Sequence, residues 1–128
     1  METGREFKEQ RYLTENLIRL LNKLKFSDIR VKSHSIYPDP DQITFPANIR
    51  PYTPSVVAQK NGFVYYFELV CDNGLDLTRL QGPLKLLHEF AIKKWNSALI
   101  LVTSYGNKNA VEKTARQCKM PFDHIWEL

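Results

Sequence analysis

One acidic side chain falls inside a run of apolar, aromatic and β-branched residues. The run is "FVYYFELVCD", and the carboxylate is that of Glu68. Removing a charge from water without a partner costs several kcal/mol, so a buried Glu68 needs a metal ion or a partner that pairs with it. Glu68 is therefore a candidate metal ligand, a paired structural charge or the remnant of an active site.

The chain around Glu68 predicts a β-hairpin. "SVVAQ" and "FVYYFELV" are strand-like runs separated by "KNG". Asn61 and Gly62 supply the positive φ angles that a tight hairpin turn requires. Glu68 is thus expected near the end of the second of two antiparallel strands.

Two helical patterns flank this hairpin. Residues 5–25 carry leucines at spacings of three and four, which predicts an amphipathic helix. Helical spacing returns from Leu77 to Trp95, and the pair Gly82-Pro83 is expected to break or restart this second helix near its first turns.

Five further segments complete the pattern. "SDIRVKSHSI" alternates apolar and polar residues, which predicts a strand exposed on one side, and "SALILVTS" is typical of a strand covered on both faces. "NKNAVEKTARQCKM" predicts a third helix with Asn107 as its N-cap, and "DHIWEL" predicts a final edge strand. Residues 37–54 hold five of the seven prolines and predict an extended loop.

The predicted order is helix, strand, hairpin, helix, strand, helix, strand. A central mixed β-sheet flanked by helices on both faces would bury all of the apolar stripes, so we predict an α/β fold. The 128 residues lie near the commonest domain size, which favours one domain over residues 1–128.

Composition limits the classes of partner and location. A net charge of +4 and a pI near 9.1 fit an anionic partner such as DNA or RNA, although no segment holds a dense basic run. No stretch approaches the length of apolar chain that spans a bilayer, and the first residues are charged. We therefore expect a cytoplasmic protein with no membrane contact.

This order of elements resembles the core of the restriction-endonuclease-like superfamily, the PD-(D/E)xK nucleases. The resemblance covers residues 5–104 as the order α-β-β-β-α-β. In that family, an Asp after a Pro at the start of the second strand and a Glu on the third strand bind Mg²⁺. A Lys two residues beyond the Glu helps to activate water.

The motif is incomplete in this chain. Glu68 matches the glutamate of the family and Pro54 matches its proline. Ser55 occupies the position of the aspartate and Val70 that of the lysine. A hydroxyl removes a negative charge from the metal site, and valine cannot orient water, so the resemblance implies an eroded site.

Two helical residues match a variation within the family. Gln81 corresponds to a glutamine that several branches carry early in the second helix, and Lys85 is a basic residue one turn later. In some members the catalytic lysine lies on this helix, so the resemblance implies that Lys85 could replace the ammonium missing at Val70. The alternative is a solvated lysine.

Other carboxylates could complete a metal site. Asp72 shares a sheet face with Glu68 if the strand continues, but it also suits the turn "CDNG". Asp41 lies in the proline-rich loop, which could deliver it to a metal or hold it in an ordinary turn. The first helix offers Glu9 and Glu15.

Three hypotheses follow. In the first, the chain is a restriction-endonuclease-like domain with an eroded metal site, catalytically inactive and retained for nucleic-acid binding or assembly. In the second, it is an active Mg²⁺-dependent DNA nuclease that uses Glu68 with relocated partners: Asp72, Asp41 and Lys85.

The third hypothesis is a protein-interaction domain with no nucleic-acid role. Glu68 would then be a structural charge paired with a basic side chain: Arg50, Arg79 or Lys85. Under any of the three, an exposed strand edge or helix could form a homodimer.

Overall fold

The computed structural model describes residues 4–44, 51–71, 77–89 and 96–128. They form an α/β domain with a five-stranded mixed sheet and three helices. Within these ranges, no helix is both long enough and apolar enough to cross a membrane. The elements in chain order are α1 (Gly4–Lys23), β1 (Ser27–Val31), β2 (Val56–Lys60), β3 (Phe63–Leu69), α2 (Leu77–Leu87), β4 (Ser97–Thr103), α3 (Lys108–Gln117) and β5 (His124–Glu127).

The strands lie side by side in chain order, β1-β2-β3-β4-β5. β2 is antiparallel to both β1 and β3, whereas β3, β4 and β5 are parallel. The ends of β1, β3, β4 and β5 therefore meet the start of β2 at one edge of the sheet. We call this the C-terminal edge, because ligands of open α/β sheets bind outside the carboxyl ends of parallel strands.

The sheet buries an apolar core on each face, as the sequence predicts. On one face, α1 packs through Leu13, Leu17, Ile18 and Leu21. On the other face, α2 and α3 pack through Leu77, Leu84, Leu87, Val111 and Ala115. Strand β4 is covered on both sides, because Ile100 and Val102 join the α1 core while Leu99 and Leu101 join the other.

The hairpin prediction is confirmed. β2 and β3 pair in the expected antiparallel register, with Val56 opposite Phe67 and Lys60 opposite Phe63. Asn61 and Gly62 take φ angles of 52° and 81°, the left-handed values that the two-residue turn requires.

Two local predictions are wrong. α2 continues through Pro83 instead of breaking there, because Leu77 and Leu84 are fully buried on the same side of the helix and hold its two halves against the sheet. The expected strand 27–36 ends at Val31, since Ser33 has a φ of 56° and turns the chain. Trp95 lies outside the described residues.

The cap of α3 also differs from expectation. Asn107 occupies the N-cap position, but its side chain makes no capping hydrogen bond. Glu127 Oε2 instead accepts hydrogen bonds from the N–H groups of Gly106 (2.7 Å) and Lys108 (3.3 Å). A carboxylate from β5 therefore caps α3.

Candidate functional site

Glu68 lies near the end of β3, at the C-terminal edge of the sheet. Its side chain is only 3% exposed. Because alternate residues of a strand share a face, Glu68 faces the α2 and α3 side together with Tyr66 and Val70. The carboxylate of Glu68 is therefore buried, as the surrounding sequence predicts, and the groups that contact it determine its role.

Three donors surround the carboxylate. Oε1 accepts hydrogen bonds from the backbone N–H of Ser55 (3.0 Å) and from the hydroxyl of Tyr52. Oε2 accepts a hydrogen bond of 2.7 Å from the hydroxyl of Ser55. Both oxygens of Glu68 are therefore engaged within the protein.

The sheet and the preceding loop place these donors. Val56 opposes Phe67 in the β2–β3 register, so Ser55 lies opposite Glu68. The backbone of Tyr52 forms two hydrogen bonds with Ile43, of 2.7 and 2.9 Å, which fix the loop at this point. The predicted proximity of Ser55 to Glu68 is therefore present as a direct contact.

Burial raises the pKa of Glu68 to about 8, because removal from water disfavours the charged form. The hydrogen bond from the Ser55 N–H and the positive charge of Lys32 act in the opposite direction. Lys32 follows β1, and its own N–H donates to the carbonyl of Ser55 (2.9 Å). The positive charge that lowers the pKa of Glu68 therefore comes from the residue that follows β1.

The two helical candidates have other surroundings. Gln81 Nε2 donates a hydrogen bond of 2.7 Å to the carbonyl of Cys118, which ties α2 to the end of α3. Lys85 is exposed on α2. The catalytic roles proposed for Gln81 and Lys85 remain predictions.

The candidate carboxylates do not gather around Glu68 in the described part of the chain. Asp41 is 95% exposed, and its Oδ1 lies 3.9 Å from Arg30 Nη1. Asp72 and Arg50 lie outside the described residues, as does the side chain of Arg79. Asp72 as a ligand, and both arginines as partners of Glu68, remain predictions.

The glutamates of α1 contact neighbouring loops. Glu9 Oε1 accepts a hydrogen bond from the hydroxyl of Ser104 (3.1 Å), and Glu15 Oε1 lies 3.0 Å from His34 Nε2. His34 Nδ1 accepts hydrogen bonds from the N–H groups of Ile36 and Tyr37, so Nε2 carries the proton that Glu15 accepts. With both ring nitrogens engaged, His34 has no free nitrogen to serve as a general base.

The described residues do not fit a Mg²⁺ site of the family's type. Both oxygens of Glu68 are directed to Ser55 and Tyr52, which are neutral hydrogen-bond donors and not metal-binding carboxylates. No group of three or more His, Cys, Asp or Glu side chains among the described residues could hold a metal ion. We therefore derive no step through a metal.

A pocket of about 490 Å³ lies at the same edge, on the α1 side of the sheet. We call it the edge pocket. Its walls come from the middle of α1, the turn after β1 and the adjacent ends of β2 and β3. Ser55 lines the edge pocket and also contacts Glu68, so the two features share a residue. The other lining residues are Gln10, Arg11, Thr14, Glu15, Val31, Lys32, Ser33, His34, Ser35 and Leu69.

Sequence reasoning missed Tyr52 as a partner of Glu68. Loop residues follow no hydrophobic period, so no pattern in the sequence indicates where this tyrosine lies. The useful signal is local: Tyr52 lies between Pro51 and Pro54, which stiffen the chain just before Ser55.

Lys32 and Arg11 were also missed. The antiparallel pairing of Val31 with Val56 places the residue after β1 beside Ser55, but the sequence predicted no partner for β1, so it gave no position for Lys32. Nothing comparable marks Arg11, because an arginine on the polar side of an amphipathic helix is ordinary.

By its fold, the protein belongs to the class of small α/β domains with a five-stranded mixed sheet. No family model, curated protein or solved structure gives a significant match to this chain.

Proposed function

We propose that the chain is a restriction-endonuclease-like domain that binds nucleic acid without cleaving it. The observation that carries this proposal is the engagement of Glu68 by Ser55 and Tyr52. Glu68 is the acidic residue expected from the family motif, but here it stabilises the junction between β2, β3 and the preceding loop.

The order of elements supports the family assignment. A helix, a strand, a β-hairpin, a helix and a strand parallel to the third follow in the sequence that the resemblance implies. Ser55 occupies the position opposite Glu68 where the family places its metal-binding aspartate, and Val70 is buried in the apolar core.

Positive charge supports the choice of nucleic acid as partner. The chain has a net charge of +4, and Arg11 and Lys32 both line the edge pocket. Phosphate groups are the dominant targets of Lys and Arg in nucleic-acid complexes, and their neutralisation releases counterions.

The test is a binding and cleavage assay on labelled single-stranded DNA, duplex DNA and RNA. Fluorescence anisotropy should show binding that weakens at least about tenfold as salt rises from about 50 to about 200 mM. The same substrates should stay intact with Mg²⁺ or Mn²⁺ present.

The variant E68Q distinguishes the alternatives. Glutamine keeps the shape of Glu68. Its oxygen can still accept from the Tyr52 hydroxyl and the Ser55 N–H, and its amide NH2 can donate to the Ser55 hydroxyl, so the fold and the binding should persist. Cleavage by the wild type that disappears in E68Q would establish an active nuclease instead. Absent or salt-insensitive binding would favour a protein-interaction domain.

An assembly role and a homodimer remain predictions. β1 and β5 are the outer strands of the sheet, so a second chain could pair with either. Sedimentation of the purified protein at several concentrations would measure the oligomeric state.

A further inference from the structure

We propose that the edge pocket binds a phosphate monoester, carried either by a free nucleotide or by the phosphorylated end of a nucleic-acid strand. This inference deepens the proposed function. It rests on that function only where the phosphate belongs to the end of a nucleic-acid strand, and not where it belongs to a free nucleotide. The argument depends on the charge, the available hydrogen-bond donors and the size of the pocket.

Two cationic side chains from different elements meet at the pocket. Arg11 comes from α1 and Lys32 from the turn after β1, and both are exposed. Within the described residues, neither forms an ion pair with a carboxylate at salt-bridge distance. A guanidinium group can bind two phosphate oxygens at once, and an ammonium group adds a point charge.

Two hydroxyl groups add neutral donors. Ser33 and Ser35 line the pocket on the same turn as Lys32. The N–H of Ser33 donates to Asp39 Oδ1 (2.8 Å), which fixes the turn without using the hydroxyl of Ser33. Neither serine hydroxyl is bonded to another group in the described chain, so both can donate to a ligand.

The other two hydroxyls of the pocket are already committed. Thr14 donates to the carbonyl of Gln10 (2.8 Å), and Ser55 donates to Glu68. The expected phosphate contacts are therefore Lys32, Ser33 and Ser35 on the turn after β1, together with Arg11 on α1.

The carboxylate in the pocket wall does not cancel this charge. Glu15 accepts a hydrogen bond from the Nε2–H of His34, and the backbone donors to Nδ1 hold the histidine in that tautomer. Arg11 and Lys32 thus outnumber Glu15 by two charges to one at the pocket. An anion is favoured over a cation.

The size of the pocket selects a small phosphorylated group. A volume of about 490 Å³ falls within the range of sites that enclose nucleotide-sized ligands. Val31 and Leu69 supply apolar wall beside the cations, against which a sugar or base can pack. A site between a helix and a turn suits a free ligand or a strand end better than the interior of a duplex.

Isothermal titration calorimetry on the full chain tests the proposal. The probes are inorganic phosphate, adenosine monophosphate and one oligonucleotide prepared with either a 5′-phosphate or a 5′-hydroxyl. The monophosphate should bind, and the 5′-phosphorylated strand should bind about tenfold or more tightly than its hydroxyl counterpart.

Two sets of variants locate the site. R11Q, and the double variant R11Q/K32Q, should weaken binding of the monophosphate by about tenfold or more. R19Q/K23Q removes the same charge from exposed positions on α1 that do not line the pocket, and it should leave that affinity unchanged. Equal melting temperatures of the variants would show that the fold is intact.

The outcomes separate this inference from the proposed function. If both oligonucleotides bind equally and the monophosphate does not bind, the pocket assignment is wrong while nucleic-acid binding stands. If the monophosphate binds through Arg11 but neither oligonucleotide binds, the pocket assignment stands and the proposed function is wrong. If no probe binds, both are wrong.

Discussion

The hydroxyl of Ser55 lies 2.7 Å from Glu68 Oε2, across the β2–β3 hairpin. Together with the N–H of the same serine, it supplies two of the three donors that satisfy the buried carboxyl group. A residue that resembles a lost metal ligand is thus a structural partner of the glutamate. This contact leads to predictions about the stability of the fold, the dependence of that stability on pH, and the binding of metal ions.

The first prediction concerns pH. The folded pKa of Glu68 is about 8 and its ordinary value is 4.5, so between these values the folded state holds more protons than the unfolded state. The free energy of unfolding should therefore fall as pH rises through this window, by up to about 1.4 kcal/mol per pH unit. The stabilisation that Glu68 contributes is complete only below pH 4.5.

Urea unfolding of the wild type and E68Q across this pH window measures the effect. E68Q should gain stability relative to the wild type as pH rises, because glutamine cannot ionise. E89Q removes a carboxylate from an exposed position and serves as control. Parallel pH curves for the wild type and E68Q would contradict the raised pKa.

The second prediction concerns the hydroxyl of Tyr52. Y52F keeps the ring and removes one donor to Glu68, so it should lower the free energy of unfolding by about 1 to 2 kcal/mol. Y105F removes a hydroxyl from a side chain that is 86% exposed, and it should change little. Thermal or urea unfolding gives both values, and equal effects of the two variants would refute a role for the Tyr52 bond.

The third prediction introduces an aspartate at Ser55, the position where the proposed family carries one. S55D places a second carboxylate beside Glu68, so repulsion should raise the pKa of one of the two groups and destabilise the fold at neutral pH. Mn²⁺ should recover part of that loss, because a divalent cation neutralises the pair.

Melting temperatures with and without Mn²⁺ provide the measurement. The recovery should vanish in S55D/E68Q, which keeps only the new carboxylate. A shift of equal size in the wild type would show that Ser55 and Glu68 already form a metal site, against our interpretation.

The fourth prediction concerns the cap of α3. E127A removes the acceptor for the N–H groups of Gly106 and Lys108, and it should destabilise the protein by about 1 kcal/mol. N107A should have a smaller effect, because the Asn107 side chain makes no capping bond. The reverse order in urea unfolding would assign the cap to Asn107.

The sequence predicts the elements in which the spacing of apolar residues matches the spacing of buried residues. α1 follows from Leu13, Leu17 and Leu21, all fully buried, and the hairpin follows from Asn61-Gly62. The continuity of α2 through Pro83 depends on contacts across the fold, which a local rule about proline does not contain.

The candidate site was only partly predictable for the same reason. The strand registers bring Ser55 to Glu68, and a hairpin can be deduced from the chain. The position of Tyr52 depends on its bridge to Ile43, in a loop without periodicity, and the capping of α3 by Glu127 depends on where β5 ends. Such contacts arise from tertiary structure.

The strand order has a consequence for how the chain reaches this structure. Because each strand pairs with the strand that precedes it in sequence, no strand must be inserted between two that already pair. The β2–β3 hairpin closes the shortest loop and therefore costs the least chain entropy. The sheet can grow outward from that hairpin, one neighbouring strand at a time, and the pairings of β1 with β2 and of β3 with β4 close much longer loops and are expected to be the slower steps.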